Sequence, residues 1–182
     1  MFAPMKFLRR FARNKQGTTA IEFGLVAVPF FMITVGIAEI AMMGLAQTNL
    51  DYATTEAGRE IRTGRAQLGG VSAEEAKLEV CQNFSRFMTL DCDSNLFVDV
   101  RRYDAFTDIE TDPPVVNGEL QTEGFAYEPG APSDIVVVRT YYRWRMLTPM
   151  FDRLLADING GERLIVSTMM FRNEPYEAEP IT

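Results

Sequence analysis

Between Ala20 and Ala46 the chain runs through 27 residues whose only charges are two carboxylates, Glu22 and Glu39. As a helix this run is roughly 40 Å long at about 1.5 Å per residue. A bilayer core is roughly 30 Å thick. The run is long enough to cross a membrane, with one or both glutamates near an interface. Every other element has to be fitted to that constraint.

Charge sets the direction of the crossing. Residues 1–17 hold Lys6, Arg9, Arg10, Arg13 and Lys15 and no acid, a charge of +5. Residues 51–182 carry −10, within a chain total of −7. A basic head before an apolar run belongs in the cytoplasm, which puts the acidic body on the far side. The expected division is a cytoplasmic leader over 1–17, a transmembrane helix over 18–46 and an extracytoplasmic domain over 47–182. An acidic body is a poor partner for nucleic acid, so none is expected.

Two ordinary explanations of the run leave Glu22 unaccounted for. A cleaved secretory signal has an apolar core of about 7–15 residues and a small-x-small cleavage site. This run is longer, and "GIAEIAMM" offers no clean site. An uncleaved signal anchor fits the length. In both, Glu22 is an interfacial acid reaching water, worth roughly 0.3–1 kcal/mol if it meets a helix dipole in the first turn.

A third explanation comes from "RNKQGTTAIEFGLVAVPFF". Basic residues, Gly17, then an apolar helix with Glu22 five places after the glycine resemble a class III or type IV prepilin signal. The stretch is especially similar to the TadE-like proteins of tight-adherence (Flp) pilus systems. "LDYATTEAGREIRTGRAQ" (50–67) and "MMFRNEPY" (169–176) look like later parts of the same family. The resemblance implies a minor pilin or pseudopilin with no catalytic residue and no cofactor or metal. It also implies a membrane prepilin peptidase that cuts between Gly17 and Thr18. Glu22 then becomes the fifth residue of the mature chain, where it can pair with the new amino terminus of a neighbouring pilin. The implied partners are that peptidase, other pilins and assembly proteins, and the membrane. The implied location is the inner membrane, amino terminus cytoplasmic and body periplasmic, or an extracellular pilus.

Beyond the run, Leu50, Ala53 (or Tyr52), Ala57 and Ile61 continue a helical spacing with polar residues between them. One long helix is expected, ending at Gly64 or at Gly69–Gly70. Pro29 should kink it or free a carbonyl near Leu25. Small residues at Ala20, Gly24 and Ala27, and at Gly36 and Gly44, share helix faces as in packed membrane helices, or simply reflect common membrane composition. Glu39 is expected at the outer interface, with pairing to a partner subunit as the alternative.

Ser72 and Glu75 have the form of a capping box. They predict a second helix with a stripe at Leu78, Cys81 (or Gln82), Phe84 or Ser85, and Met88. Cys81 and Cys92 flank its end, and in an oxidising periplasm an intrachain disulfide is the natural pairing. The alternatives are two thiols or a link to another chain. Strands are expected at 96–103, 134–146 and 162–173. A short helix is expected in 148–161, with Thr148 as N-cap and Pro149 in its first turn. The Pro- and Gly-rich stretch 104–133 reads as a long exposed loop, with room for a short strand at 123–127. The fold class is α+β, a long helix on a small antiparallel sheet.

Histidine is absent, which removes the commonest general base and zinc ligand. The acids of "DCD" (91–93) and "DIETD" (108–112) could ligate calcium, but no glycine-anchored loop accompanies them. "RTYYRWR" (139–145) could suggest nucleic acid or glycans; a two-faced strand showing Tyr, Trp and Arg is the plainer account. No enzymatic activity is expected. The remaining alternative to a pilin is an uncleaved, membrane-tethered periplasmic binding or scaffold module.

Overall fold

The computed structural model describes residues 17–86, 90–110, 112–148 and 151–176. The basic residues of the head, together with Met88 and Pro149, lie outside the described residues. The fold is α+β, as expected. Helix α1 (Thr18–Arg62) is followed by α2 (Arg65–Gly69), α3 (Ala73–Phe84), α4 (Cys92–Asn95) and strand β1 (Leu96–Tyr103). A 3-10 turn (Phe106–Asp108), β2 (Val115–Val116) and β3 (Glu119–Leu120) come next, then β4 (Ile135–Arg145), α5 (Asp152–Leu155) and β5 (Glu162–Arg172). The residues form two compact units, one ending at Ile40 and one beginning at Ala41.

The second unit is built on an antiparallel sheet of order β1-β4-β5. Alternation along β4 divides its side chains between two faces. Val136, Val138, Tyr142 and Trp144 turn to α1. Leu50, Ala53, Ala57 and Ile61 are buried on the facing helix, as their spacing predicts, while Tyr52 is exposed. Ala46, Leu50 and Ala53 pack with Tyr142, Trp144 and Met146. Ile61 packs with Val136 and Val138. α1 therefore runs antiparallel to β4. Between these clusters the buried hydroxyls of Thr54 and Thr140 meet at 2.5 Å, with Thr54 donating to the Leu50 carbonyl.

The buried face of α3 is Ala76, Val80 and Phe84; of the expected stripe Phe84 is wholly buried and Cys81 half-buried, whereas Leu78 points outward at 58 % exposure. Ala76, Val80 and Phe84 are spaced by four, which keeps them in line over this short helix. The capping box forms as predicted: Ser72 accepts from the Glu75 N–H and the Glu75 carboxylate accepts from the Ser72 N–H.

Among the described residues the stretch 104–133 is mostly exposed, as expected, but part of it packs on the other face of the sheet, where Leu120 and Tyr141 are buried together with Ile158 and Leu164. The Phe125 ring stacks on Tyr141 at 5.2 Å. The Val100 N–H donates to the Ala126 carbonyl and the Glu128 N–H donates to the Val100 carbonyl, so 126–128 borders β1. Both faces of β4 are covered. Consequently Tyr141, Tyr142 and Trp144 are buried rather than on show. Arg143 lies over the Phe97 ring at 4.8 Å.

The helix expected in 148–161 shrinks to α5, and its N-cap is Phe151 rather than Thr148. α1 ends where Gly64 takes a left-handed conformation (φ 79°), and a side-chain carbon there would strike the Tyr176 ring. The chain end is fastened beside it. The Glu174 N–H donates to the Arg62 carbonyl, and the Asn173 amide donates to the carbonyls of Pro129 and Ala131.

Burial holds the phenols of Tyr127, Tyr141 and Tyr142 above their ordinary value of 10.0. Folding thus favours the neutral phenol. This contribution is complete below about pH 10 and drains away as pH rises through the higher folded-state values. Alkaline titration should show tyrosinate absorbance at 295 nm rising together with loss of near-ultraviolet circular dichroism. Titration of all the tyrosines near pH 10 with the fold intact would contradict the burial.

Candidate processing and assembly segment

Helix α1 begins at Thr18, immediately after Gly17. Gly17 is exposed, and a side-chain carbon added there would meet no described atom within 4 Å. The peptide joining Gly17 to Thr18 thus lies at the start of α1.

Glu22 is the fifth helical residue, exposed, one turn deeper than the first-turn position where a helix dipole acts most. The dipole account of Glu22 loses force for that reason. Around it the helix is apolar on every side. Phe23 and Leu25 are 70 % and 72 % exposed, and Val26, Phe30 and Ile33 are exposed likewise. A helix apolar all round belongs inside a large core or in lipid. Among the described residues, α1 is the one helix long and apolar enough to cross a membrane. It continues through Pro29, which lacks the N–H that would bond to the Leu25 carbonyl. Gly24 and Gly44 are open in the same sense as Gly17, leaving room for close approach of another helix.

Glu39 is buried, at 1 % exposure. Its spacing of seven from Ala46 and eleven from Leu50 puts it on the same helix face as those buried residues.

Cys81 and Cys92 form the expected intrachain disulfide, with Cα atoms 5.9 Å apart. It ties the last turn of α3 to the first residue of α4. Closing so short a loop stabilises by about 3 kcal/mol in the chain-entropy model. Cys81→Ser with Cys92→Ser should lower the melting temperature of the folded body by roughly 10 °C; an unchanged melt would show that the bond adds nothing.

In the first acidic cluster Asp91 has a local duty. One oxygen of Asp91 accepts from the N–H groups of Asp93 and Ser94, capping α4. Asp108 lies in the 3-10 turn. α4 was missed in the sequence, although an aspartate followed by Ser and Asn is a capping signal.

Residues 17–59 match the family model described as TadE-like protein. The likeness read from the opening segment therefore holds. The match takes in Gly17, Glu22 and most of the 50–67 stretch, and stops well short of 169–176. No curated protein and no solved structure matches the chain.

Proposed function

We propose that this chain, TadE-like over residues 17–59, is a non-enzymatic minor pilin or pseudopilin that works in assembling a tight-adherence (Flp) pilus. The peptidase holds the basic head on the cytoplasmic side and cuts between Gly17 and Thr18. The mature chain then meets other pilins through α1, with the folded body in the periplasm. One observation supports this above the others: an exposed glycine immediately precedes an apolar, outward-facing helix whose one early charge is Glu22. A simple anchor needs neither the glycine nor the acid.

The direct test is the amino terminus of the protein recovered from membranes of cells with active prepilin peptidase. Thr18 is expected. A chain that still begins before Gly17 rejects the pilin reading in favour of an uncleaved periplasmic module.

Glu22 has its own consequence. In a bundle of mature helices its carboxylate can meet the Thr18 amino group of a neighbouring subunit. Removing one member of a buried ion pair costs about 3–5 kcal/mol. At about 1.4 kcal/mol per tenfold, that weakens the contact by at least two orders of magnitude. Glu22→Ala should therefore be cut normally yet fail in a piliation assay. Normal assembly of the cut variant would remove the pairing role.

A further inference from the structure

Of the seven asparagines, Asn117 and Asn159 alone are followed by glycine. Asparagine is thermally labile, and a glycine after it makes it most so. No side chain then shields the next backbone nitrogen, which can close on the asparagine's own amide carbon. Two sites of the same intrinsic chemistry thus lie in one chain. What differs between them is the fold.

Asn117 and Gly118 are the two central residues of the turn between β2 and β3, at φ 54° and 77°. Asn117 is exposed. Among the described residues its side-chain amide makes no hydrogen bond, and the Gly118 N–H donates to no group. Asn159 and Gly160 are exposed as well, but the Asn159 side chain is engaged. Its Nδ2 donates to the Asn117 carbonyl at 2.8 Å, and its backbone N–H donates to the Gly118 carbonyl at 2.8 Å. The approach is close enough that a side-chain carbon on Gly118 would come within 2.7 Å of Asn159 Oδ1. One Asn-Gly step therefore grips the other, and the gripped one keeps its own amide free.

We propose that Asn117 is a site of spontaneous covalent modification, deamidation through a succinimide, and that Asn159 is protected from the same reaction by its grip on the 117–118 turn. The Gly118 nitrogen gives up its proton and bonds to Cγ of Asn117. The Cγ–Nδ2 bond breaks, and that nitrogen leaves as ammonia with the proton Gly118 lost. Water then opens the ring at one of its two carbonyls, leaving aspartate or isoaspartate. Nothing is oxidised or reduced; one amide and one water become one carboxylate and one ammonium. For Asn159 the same closure first requires Nδ2 to release the Asn117 carbonyl, and that hydrogen bond should slow the reaction on the order of tenfold.

The product bears on the packing of the body. Isoaspartate adds one carbon to the backbone of a two-residue turn and makes a free carboxylate of the Asn117 carbonyl. The turn sets the β2–β3 register, and β3 brings Leu120 into the cluster with Tyr141, Ile158 and Leu164. Conversion therefore loosens this cover on the sheet. The proposal is independent of whether the chain is cut after Gly17.

The test follows the unsubstituted full chain in detergent micelles at mildly alkaline pH. Water labelled with heavy oxygen marks conversion during the incubation and separates it from conversion during later handling. Tryptic cleavage parts the two sites: residues 103–139 hold Asn117, residues 154–163 hold Asn159, and neither peptide has another asparagine. In the folded chain the 103–139 peptide should gain mass and split into two products of equal mass, with 154–163 lagging on the order of tenfold. In denaturant the two should convert at similar rates. Equal conversion in the folded chain, or a lag that survives denaturant, overturns the protection of Asn159. A 103–139 peptide that stays unmodified in the folded chain while converting in denaturant overturns the site itself. Backbone hydrogen exchange over 115–121 should be faster in the converted protein, and equal rates overturn the loosening.

Discussion

Gly17→Leu is expected to stop processing of the chain while leaving its folded body unchanged. Gly17 is exposed, and an added side chain meets no described atom. Leucine there should neither strain the helix start nor disturb the core. A loss of cleavage must then arise in recognition by the peptidase, not in misfolding. Bulk that a pocket cannot admit costs roughly 10–200-fold per added methylene-sized group. Leucine should thus reduce the fraction beginning at Thr18 by on the order of 100-fold or more, whereas Gly17→Ala should remain substantially cut. Intact-mass measurement on membrane protein reads both. The disulfide and the melting temperature serve as controls and should match the parent. If the leucine variant is cut as well as the parent, the cleavage site has been assigned to the wrong peptide bond.

The second large effect is on stability. Phe84 is wholly buried at the end of α3, and its ring meets Tyr142 edge-on at 4.8 Å. It shares a cluster with Val80, Cys92, Leu96 and Leu50, so it joins α3, the disulfide, the sheet and α1 at one point. Phe84→Ala removes the apolar area and leaves a cavity that rigid neighbours fill poorly, a loss of about 4 kcal/mol. Total stabilities are about 5–15 kcal/mol, so the variant should be marginal. Phe84→Leu keeps most of the volume and should cost less than about 1.5 kcal/mol. Thermal unfolding followed in the aromatic circular dichroism separates the two. Equal melts for the alanine variant and the parent would mean that the cluster is not packed as described.

Features controlled by near neighbours were readable in the sequence. The face of α1 from Leu50 to Ile61, the Ser72–Glu75 box and the three long strands all follow from spacing and residue type. The strand order was not readable, since β4 lies between β1 and β5 through contacts far apart in the chain. The exposure of 104–133 was readable, but its packing on the sheet was not, for the same reason. Its prolines and glycines describe a chain that turns often, not what it lies against. Leu120 and Phe125 hold it to the sheet, and neither belongs to a periodic pattern. One local signal was nevertheless present there: "VVNGEL" has Asn117 and Gly118 both at positive φ, joining β2 to β3, as a tight hairpin turn requires. In the candidate processing segment, the spacing of Gly17 and Glu22 carried the family likeness, and the match over residues 17–59 takes in both.

The antiparallel alignment of α1 and β4 also has a mechanical side. A subunit held by its amino-terminal helix receives load along that helix. The contacts from Ala46 to Ile61 lie side by side along β4, with the Thr54–Thr140 pair midway. Tension along α1 slides one row of side chains past the other, so the contacts resist together instead of opening one after another. Within the body, the row from Ala46 to Ile61 is therefore loaded in shear.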